Sequence, residues 1–362
     1  MSKAKKGANP QKALLMTAVK RVINTNTVLP ILEDILFLPG KAIVTDLETV
    51  VITPFDMKGV PAEGIAIPAK MFGEIMGMME TPSLVVDKSG ENCRLTEGKR
   101  TIQIKGDLSE NFPKSPDTSE VIPVGKINAQ TMEHIATALL FVSNDDLRPA
   151  VTGVYFCEEL VSTDAHRLYH KPIGFKENFI VPARSLKALI ALGGEWEVFC
   201  TKNEGTIYHV QFVRHDGTQL ISRAIDARFP DYTVVVPTEG QTVTLNFCPH
   251  VLGLEIKNAM KFANRSTSMV RFDINDSTVK ISAADVDFSF AYENQFPATI
   301  QRHEKAGEPC PYIAFNGKFL LQILSQHTGD GPVIIDLWSP TKAAIVNNDF
   351  LIMPLMVDFD KF

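Results

Sequence analysis

One short pattern recurs three times in this chain, about 120 residues apart. Val44-Thr45-Asp46-Leu47, Val161-Ser162-Thr163-Asp164 and Ile281-Ser282-Ala283-Ala284-Asp285 each close a β-branched, apolar run on an aspartate. The three aspartates stand 118 and 121 residues apart. Asn111-Phe112-Pro113 and Arg228-Phe229-Pro230 repeat at 117. A third landmark is a strand, a turn with a basic residue, then an apolar helix. It reads Ile67-Pro68-Ala69-Lys70-Met71-Phe72, Val181-Pro182-Ala183-Arg184-Ser185-Leu186 and Phe315-Asn316-Gly317-Lys318-Phe319-Leu320. Such a period is far longer than a solenoid repeat and has the size of a small domain. The 362 residues therefore divide into three similar domains, 1–123, 124–240 and 241–362, each long enough to bury its own core.

Within each domain the same order of elements is expected. Leu14, Leu15, Ala18, Val19 and Val22 fall at helical spacing and predict a helix over 11–23. Pro10 suits its first position. Further helices are predicted over 69–79, 131–141, 185–192, 250–263 and 318–326. Strands are predicted over 35–38, 41–44, 49–52, 83–87 and 101–104 in the first domain. The second has them over 151–156, 160–163, 196–200, 207–213 and 219–224. The third has them over 269–274, 279–283, 288–292, 333–337 and 343–346. Their alternation and β-branched content suit antiparallel sheets with one buried face. The class is α+β, not a doubly wound sheet. The joints near 121–126 and 237–241 are short, which predicts domains packed in a row.

The net charge of −6 excludes a protein that grips nucleic acid with its whole surface. The helices nevertheless lean positive. The first carries Lys12, Lys20 and Arg21 without an acid; the others carry Lys70, Arg184 with Lys187, Lys257, Lys261 and Arg265 against Glu255, and Lys318. Amphipathic helices often solvate themselves with lysine. Repetition in three domains points further, to a shared positive face able to hold a phosphate backbone without reading sequence. Five scattered cysteines, with no CxxC pair, indicate neither a zinc site nor a disulfide framework. The basic start, Met1 to Gly7, lacks the apolar stretch of a signal peptide, and no apolar run is long enough for a membrane span. A cytoplasmic protein is expected.

The densest cluster of reactive side chains is Thr163-Asp164-Ala165-His166-Arg167-Leu168. A hydrolase would use Asp164 to orient His166. Against this, there is no Gly-x-Ser-x-Gly elbow, no Walker loop and no H-E-x-x-H motif. Neighbouring strand residues also point to opposite faces. The alternative is an aspartate-stabilised turn at a strand end.

This cluster and its surroundings resemble the bacterial DNA polymerase III beta subunit (beta sliding clamp) family. The pieces that carry the resemblance are Leu29-Pro30-Ile31-Leu32, Thr45-Asp46-Leu47-Glu48, Asn111-Phe112-Pro113, Asp145 to Val154, Thr163 to Leu168, Phe229-Pro230-Asp231-Tyr232 and Met353-Pro354-Leu355. They occur in the family's order and span the chain. The resemblance implies a DNA clamp fold of three similar domains and a head-to-tail homodimer closing a ring, with helices lining the hole. It implies a non-catalytic processivity factor without cofactors that encircles duplex DNA regardless of sequence. Its partners would be the replicative polymerase, the clamp loader and repair proteins bearing short clamp-binding motifs.

The family's partner-peptide pocket carries over to Val151, Thr163, His166, Arg167, Leu168, Pro237, Leu351, Met353 and Leu355. DNA-facing candidates are Arg21, Lys70, Arg148, Arg184, Lys187 and Lys257, and Phe262 is the candidate at the dimer interface. The chain departs from the family at three places. Asn26 stands where the family often has Arg, Ala165 replaces a common Gly, and residues 356–362 extend beyond the usual end. Two other functions are compatible with the residues: a triplicated peptide-binding scaffold without DNA encirclement, and a cytosolic hydrolase using Asp164 and His166.

Overall fold

The computed structural model describes residues 9–24, 27–87, 89–238, 240–285, 287–303 and 310–356. The readings that fall on Met1–Gly7, on Asn26 and on residues 357–362 of the tail lie outside the described residues.

The first repeat runs α1 (Pro10–Val22), β1 (Asp34–Leu38), β2 (Lys41–Thr45), β3 (Thr49–Pro54), β4 (Ile65–Pro68) and α2 (Ala69–Met78). It ends with β5 (Ser83–Val86), β6 (Asn92–Glu97), β7 (Arg100–Lys105) and β8 (Asp107–Leu108). The second opens with β9 (Ile122–Ile127) and α3 (Ala129–Ala138), then β10 (Gly153–Phe156), β11 (Glu159–Thr163), β12 (Arg167–Pro172) and β13 (Phe179–Pro182). It closes with α4 (Ala183–Leu192), β14 (Trp196–Asn203), β15 (Thr206–Arg214) and β16 (Gln219–Arg223). The third has β17 (Val243–Phe247), α5 (Pro249–Ala259), β18 (Met269–Ile274), β19 (Thr278–Asp285), β20 (Phe290–Pro297) and β21 (Thr299–Arg302). After these come β22 (Tyr312–Asn316), α6 (Gly317–Leu324), β23 (Val333–Leu337), β24 (Ala344–Val346) and β25 (Phe350–Ile352). Matching elements thus recur: β3, β12 and β20 each follow the repeated aspartate, and β7, β16 and β25 are each the third strand after the second helix of their repeat.

The helices start where the sequence puts caps. Asn9 accepts from the Gln11 amide at 3.0 Å with Pro10 at the first position, and Asn128 and Asn316 cap α3 and α6. Val151, expected in a strand, instead ends a 3₁₀ turn that Pro149 opens, and β10 begins at Gly153. The strand expected over 288–292 begins later, at Phe290, and pairs with β19 through Pro297.

The described chain forms two compact units. One comprises Met1–Leu139, Asp146–Glu159 and Pro172–Arg228; the other comprises Leu140–Asp145, Leu160–Lys171 and Phe229–Phe362. In the first, nine strands form one sheet in the order β8-β4-β1-β2-β3-β16-β15-β14-β9. The pairing of β3 with β16, Val51 opposite Leu220 and Val50 opposite Ile221, runs the sheet from the first repeat into the second. All four side chains are buried, which explains why β3 reads as a continuous apolar run rather than an alternating one. Beside the seam, the hydroxyls of Thr49, Ser185 and Ser222 bond to one another at 2.7 and 2.8 Å, so no buried hydroxyl of the three is stranded. Phe37, Phe55 and Phe72 pack as a cluster with ring centroids 4.7–5.9 Å apart. Such rings contribute on the order of 1.5–3 kcal/mol each by burial.

In the second unit, β12-β25-β24-β23-β17-β21 lie side by side, and β20-β19-β18-β22 form a separate sheet. Here β12 of the second repeat pairs with β25 of the third, as β3 pairs with β16. That pairing is why residues 160–171 belong with the third repeat rather than with the rest of the second. Gly317 permits a close approach of α6 to α5: a Cβ there would lie 2.7 Å from the Met260 sulfur.

Candidate functional site

The repeated aspartate builds the same turn in the first two repeats, and the third shares one of its hydrogen bonds. In the first repeat, Asp46 Oδ1 accepts the amides of Glu48 and Thr49 at 3.1 and 2.6 Å, and Thr45 Oγ1 accepts that of Leu47. In the second, Asp164 Oδ1 accepts those of His166 and Arg167 at 3.0 and 2.9 Å, and Thr163 Oγ1 accepts that of Ala165. In the third, Asp285 accepts the amide of Asp287. Leu47 and Ala165 both occupy the left-handed region, at φ 77° and 74°. This is the conformation that favours glycine, so Ala165 carries the turn with strain of order 1 kcal/mol. The turn chemistry thus explains the Thr-Asp pairs without catalysis.

The turn in the second repeat positions one exposed and one buried side chain. Arg167 is buried, and every nitrogen of its guanidinium is engaged. Its Nε and Nη2 donate to Asp164 Oδ2 at 3.0 and 2.9 Å, its Nη1 to Gln322 Oε1 at 2.6 Å, and Nη2 also to the Leu140 carbonyl at 3.2 Å. Its guanidinium lies over the rings of Phe141 and Phe319 at 4.9 and 4.4 Å. Charge pairing, satisfied donors and two aromatic faces together offset the desolvation of this cation. His166 points outward and stacks on the other part of this aromatic surface, with its ring 5.8 Å from that of Phe319. The last strand completes the site. Leu168 pairs with Leu351 and Arg167 with Ile352, and the Met353 amide donates to the His166 carbonyl at 2.9 Å. The Leu355 amide then donates to the Ala314 carbonyl at 2.8 Å.

Of the nine sequence-derived pocket residues, Thr163, His166, Arg167, Leu168, Leu351, Met353 and Leu355 come together through these contacts. His166 and Met353 are exposed, Leu355 is half-buried, and Leu168 and Leu351 are core residues that shape the surface from beneath. Pro237 is half-buried and follows the 3₁₀ turn Tyr232–Val234 in the same unit. Val151 is buried in the first unit. Sequence reasoning missed Phe141, Phe319 and Gln322. Gln322 carried a signal, as the one polar residue in the apolar stretch Phe319-Leu320-Leu321-Gln322-Ile323-Leu324.

The hydrolase alternative fails on geometry. Asp164 spends its oxygens on Arg167 and on two backbone amides, while the His166 ring lies against Phe319. Among the described residues no group of His, Cys, Asp and Glu is arranged to hold a metal, and no helix is long and apolar enough to cross a membrane.

The basic candidates are all at the surface. Arg21 and Lys70 lie on α1 and α2, Arg184 and Lys187 on α4, and Lys257 in the last turn of α5, where it complements the helix dipole. Arg148 precedes the Pro149 turn. Arg184 also holds the fold together, bridging Asp46 at 2.9 Å and capping the Val22 carbonyl of α1 at 2.8 Å. Phe262 follows α5, is about one-third exposed, and stacks on Tyr292 of β20 with centroids 5.7 Å apart.

No family model matches the chain. Individual proteins do. The beta sliding clamp of Chlamydia pneumoniae is 23% identical over 376 aligned positions, covering 96% of this chain and 97% of that protein. The DNA polymerase sliding clamp of Bacillus subtilis superposes with a TM-score of 0.81 at 19% identity, covering 96% of this chain and 97% of that one. The sliding clamp (DNA polymerase III subunit beta) of Bartonella birtlesii, solved bound to griselimycin, gives 0.79 at 21% identity, covering 97% and 98%. Along its whole length, then, this chain resembles the bacterial beta sliding clamps in sequence and has their fold.

Proposed function

We propose that this chain is a DNA sliding clamp: a non-catalytic processivity factor that closes around duplex DNA as a head-to-tail dimer and tethers a replicative polymerase. One observation carries the reading. Two of three equivalent strand pairings are made within the chain, β3 with β16 and β12 with β25. The third would join β20 to β7, and among the described residues both are left at sheet edges, β20 beside β19 and β7 beside β6. Unpaired edges of this length are normally covered or blunted. A second copy, docked head to tail, supplies each edge with its missing partner. Two such contacts close six domains into a ring, on the division 1–123, 124–240 and 241–362. The surface near β20 suits such a contact, since Phe262, Phe288 and Phe290 are exposed there and Phe288 stacks on Phe290. Each chain has a mass of 40.0 kDa. Sedimentation equilibrium is therefore expected to give about 80 kDa, and a persistent 40.0 kDa species would remove the proposal.

A topological tether needs no tight local contact. Weak phosphate contacts from Arg21, Lys70, Arg148, Lys187, Lys257 and the remaining reach of Arg184 would let the ring slide. The net charge of −6 keeps the rest of the surface from competing for DNA. Such a protein would work in the cytoplasm, on the nucleoid.

The patch around His166, Phe319 and Met353 is the proposed site for short apolar motifs of the polymerase, the clamp loader and repair proteins. Met adapts to differing side chains, and the stacked His and Phe present a flat apolar face. Leu168 and Leu351 are too buried to test this, because truncating them opens a cavity. Replacing His166 and Met353 together by Ala is expected to weaken a polymerase-derived peptide by roughly tenfold or more, about 1.4 kcal/mol, with an unchanged melting temperature. Fluorescence anisotropy with a labelled peptide reads the effect, and equal affinity in the double variant would displace the site from this patch.

A further inference from the structure

Outside both surfaces, the first repeat holds a pair of carboxyl groups with no evident role in packing. Asp34 opens β1 and is 5% exposed. Its Oδ2 receives no hydrogen bond among the described residues. Opposite Asp34 on β4 stands Pro68, which has no N–H to offer. One row along, Leu36 faces Ala66, and Ala66 faces Asp107 on the edge strand β8. Since alternate residues share a face, Asp34 and Asp107 lie on the same side of the sheet, across β4. That side carries the apolar cluster of Leu36, Ala66 and Phe112. Asp107 is exposed, and its carboxyl stands as a hydrogen-bond partner to that of Asp34. Two ionised carboxylates have only acceptors to present; a proton on one turns the clash into a bond.

We propose that a proton on Asp34, donated to Asp107 across β4, latches the edge strand β8 to the sheet, so that its loss releases β8. The charged groups acting on Asp34 are Asp107 from β8 and Glu33 from the preceding 3₁₀ turn; β4 contributes only Pro68 and Ala66. Burial first, then these two acids, push the Asp34 carboxyl up to about 7. The sign follows. A carboxyl whose folded value is raised stabilises the fold most when protonated, so its contribution is present at acid pH and is lost as pH rises through about 7. Release of β8 frees the segment leading to Phe112, which seals the cluster on that face.

Hydrogen exchange and infrared spectroscopy of the intact chain, followed from roughly pH 5 to roughly pH 9, test the latch. The wild type is expected to show a protonated-carboxyl band at the acid end that disappears through neutrality. Protection of the β8 amides, corrected for intrinsic exchange, should fall by roughly tenfold or more in the same interval. In Asp34→Asn the band is absent and protection no longer varies with pH. Asp107→Asn keeps the band, because burial still holds the proton on Asp34, but its β8 protection no longer varies with pH, which serves if the first variant folds poorly. Wild-type β8 protection that is flat across the range, or a protonated-carboxyl band that survives in Asp34→Asn, overturns the proposal.

Discussion

Phe290→Asp is expected to turn the proposed dimer into monomers. Phe290 is about half exposed on β20, against the ring of Phe288. In the proposed ring it lies where the edge strand meets β7 of the second copy. A carboxylate there must be desolvated with no partner among Phe262, Phe288 and Tyr292, and the apolar burial is lost as well. A central aromatic anchor is commonly worth about 2 kcal/mol or more, so the dissociation constant should rise by about a hundredfold, roughly 2.7 kcal/mol. Equilibrium sedimentation across concentrations reads the change, and circular dichroism checks that each chain stays folded. A variant that remains dimeric at the same concentrations places the interface elsewhere.

The second large effect belongs to Arg167. Arg167→Ala removes a cation that serves Asp164, Gln322 and the Leu140 carbonyl at once and fills the space between Phe141 and Phe319. Asp164 would remain largely buried without its counter-charge. Breaking such a pair costs about 3–5 kcal/mol, which should unfold the second unit at lower denaturant than the first and split a single transition in two. Peptide binding is lost with it, because Phe319 and His166 lose their support. Arg167→Lys should recover little, since an ammonium cannot reproduce the planar fork or stack between rings. Unfolding curves of the three proteins in urea decide the matter; curves that coincide would show that the network adds nothing to stability.

The sequence carried much of the plan because the repeat rests on local chemistry. Thr45-Asp46 and Thr163-Asp164 are legible since the turn needs a hydroxyl and a carboxylate two and three residues before the amides they accept. The six helices announce themselves through caps and apolar spacing, with ends shifted by a few residues, as at 250–263, where α5 stops at Ala259. The strand β9 was missed because Pro123 and Gly125 dilute its signal, although it pairs with β14. Long-range features were not legible. Nothing local distinguishes β20, which is left at an edge, from β3, which is paired, and Phe288 reads as an ordinary strand residue. The burial of Arg167 depends on Phe141, Phe319 and Gln322, residues 26 to 155 positions away. Asp34 likewise reads as a polar strand start until β4 brings Pro68 and Asp107 to it.

The measurement that bears most directly on the clamp reading is retention on DNA of two shapes. The chain is loaded onto a nicked circular duplex with a bacterial clamp loader and ATP, separated from free protein by gel filtration, and the circle is then cut once. A ring held only by topology is expected to stay with the circle at salt high enough to screen phosphate contacts, and to run off within minutes of linearisation. Retention that is unaffected by cutting, or no retention on the circle from a chain that is dimeric and folded, would contradict encirclement and leave a peptide-binding scaffold in its place.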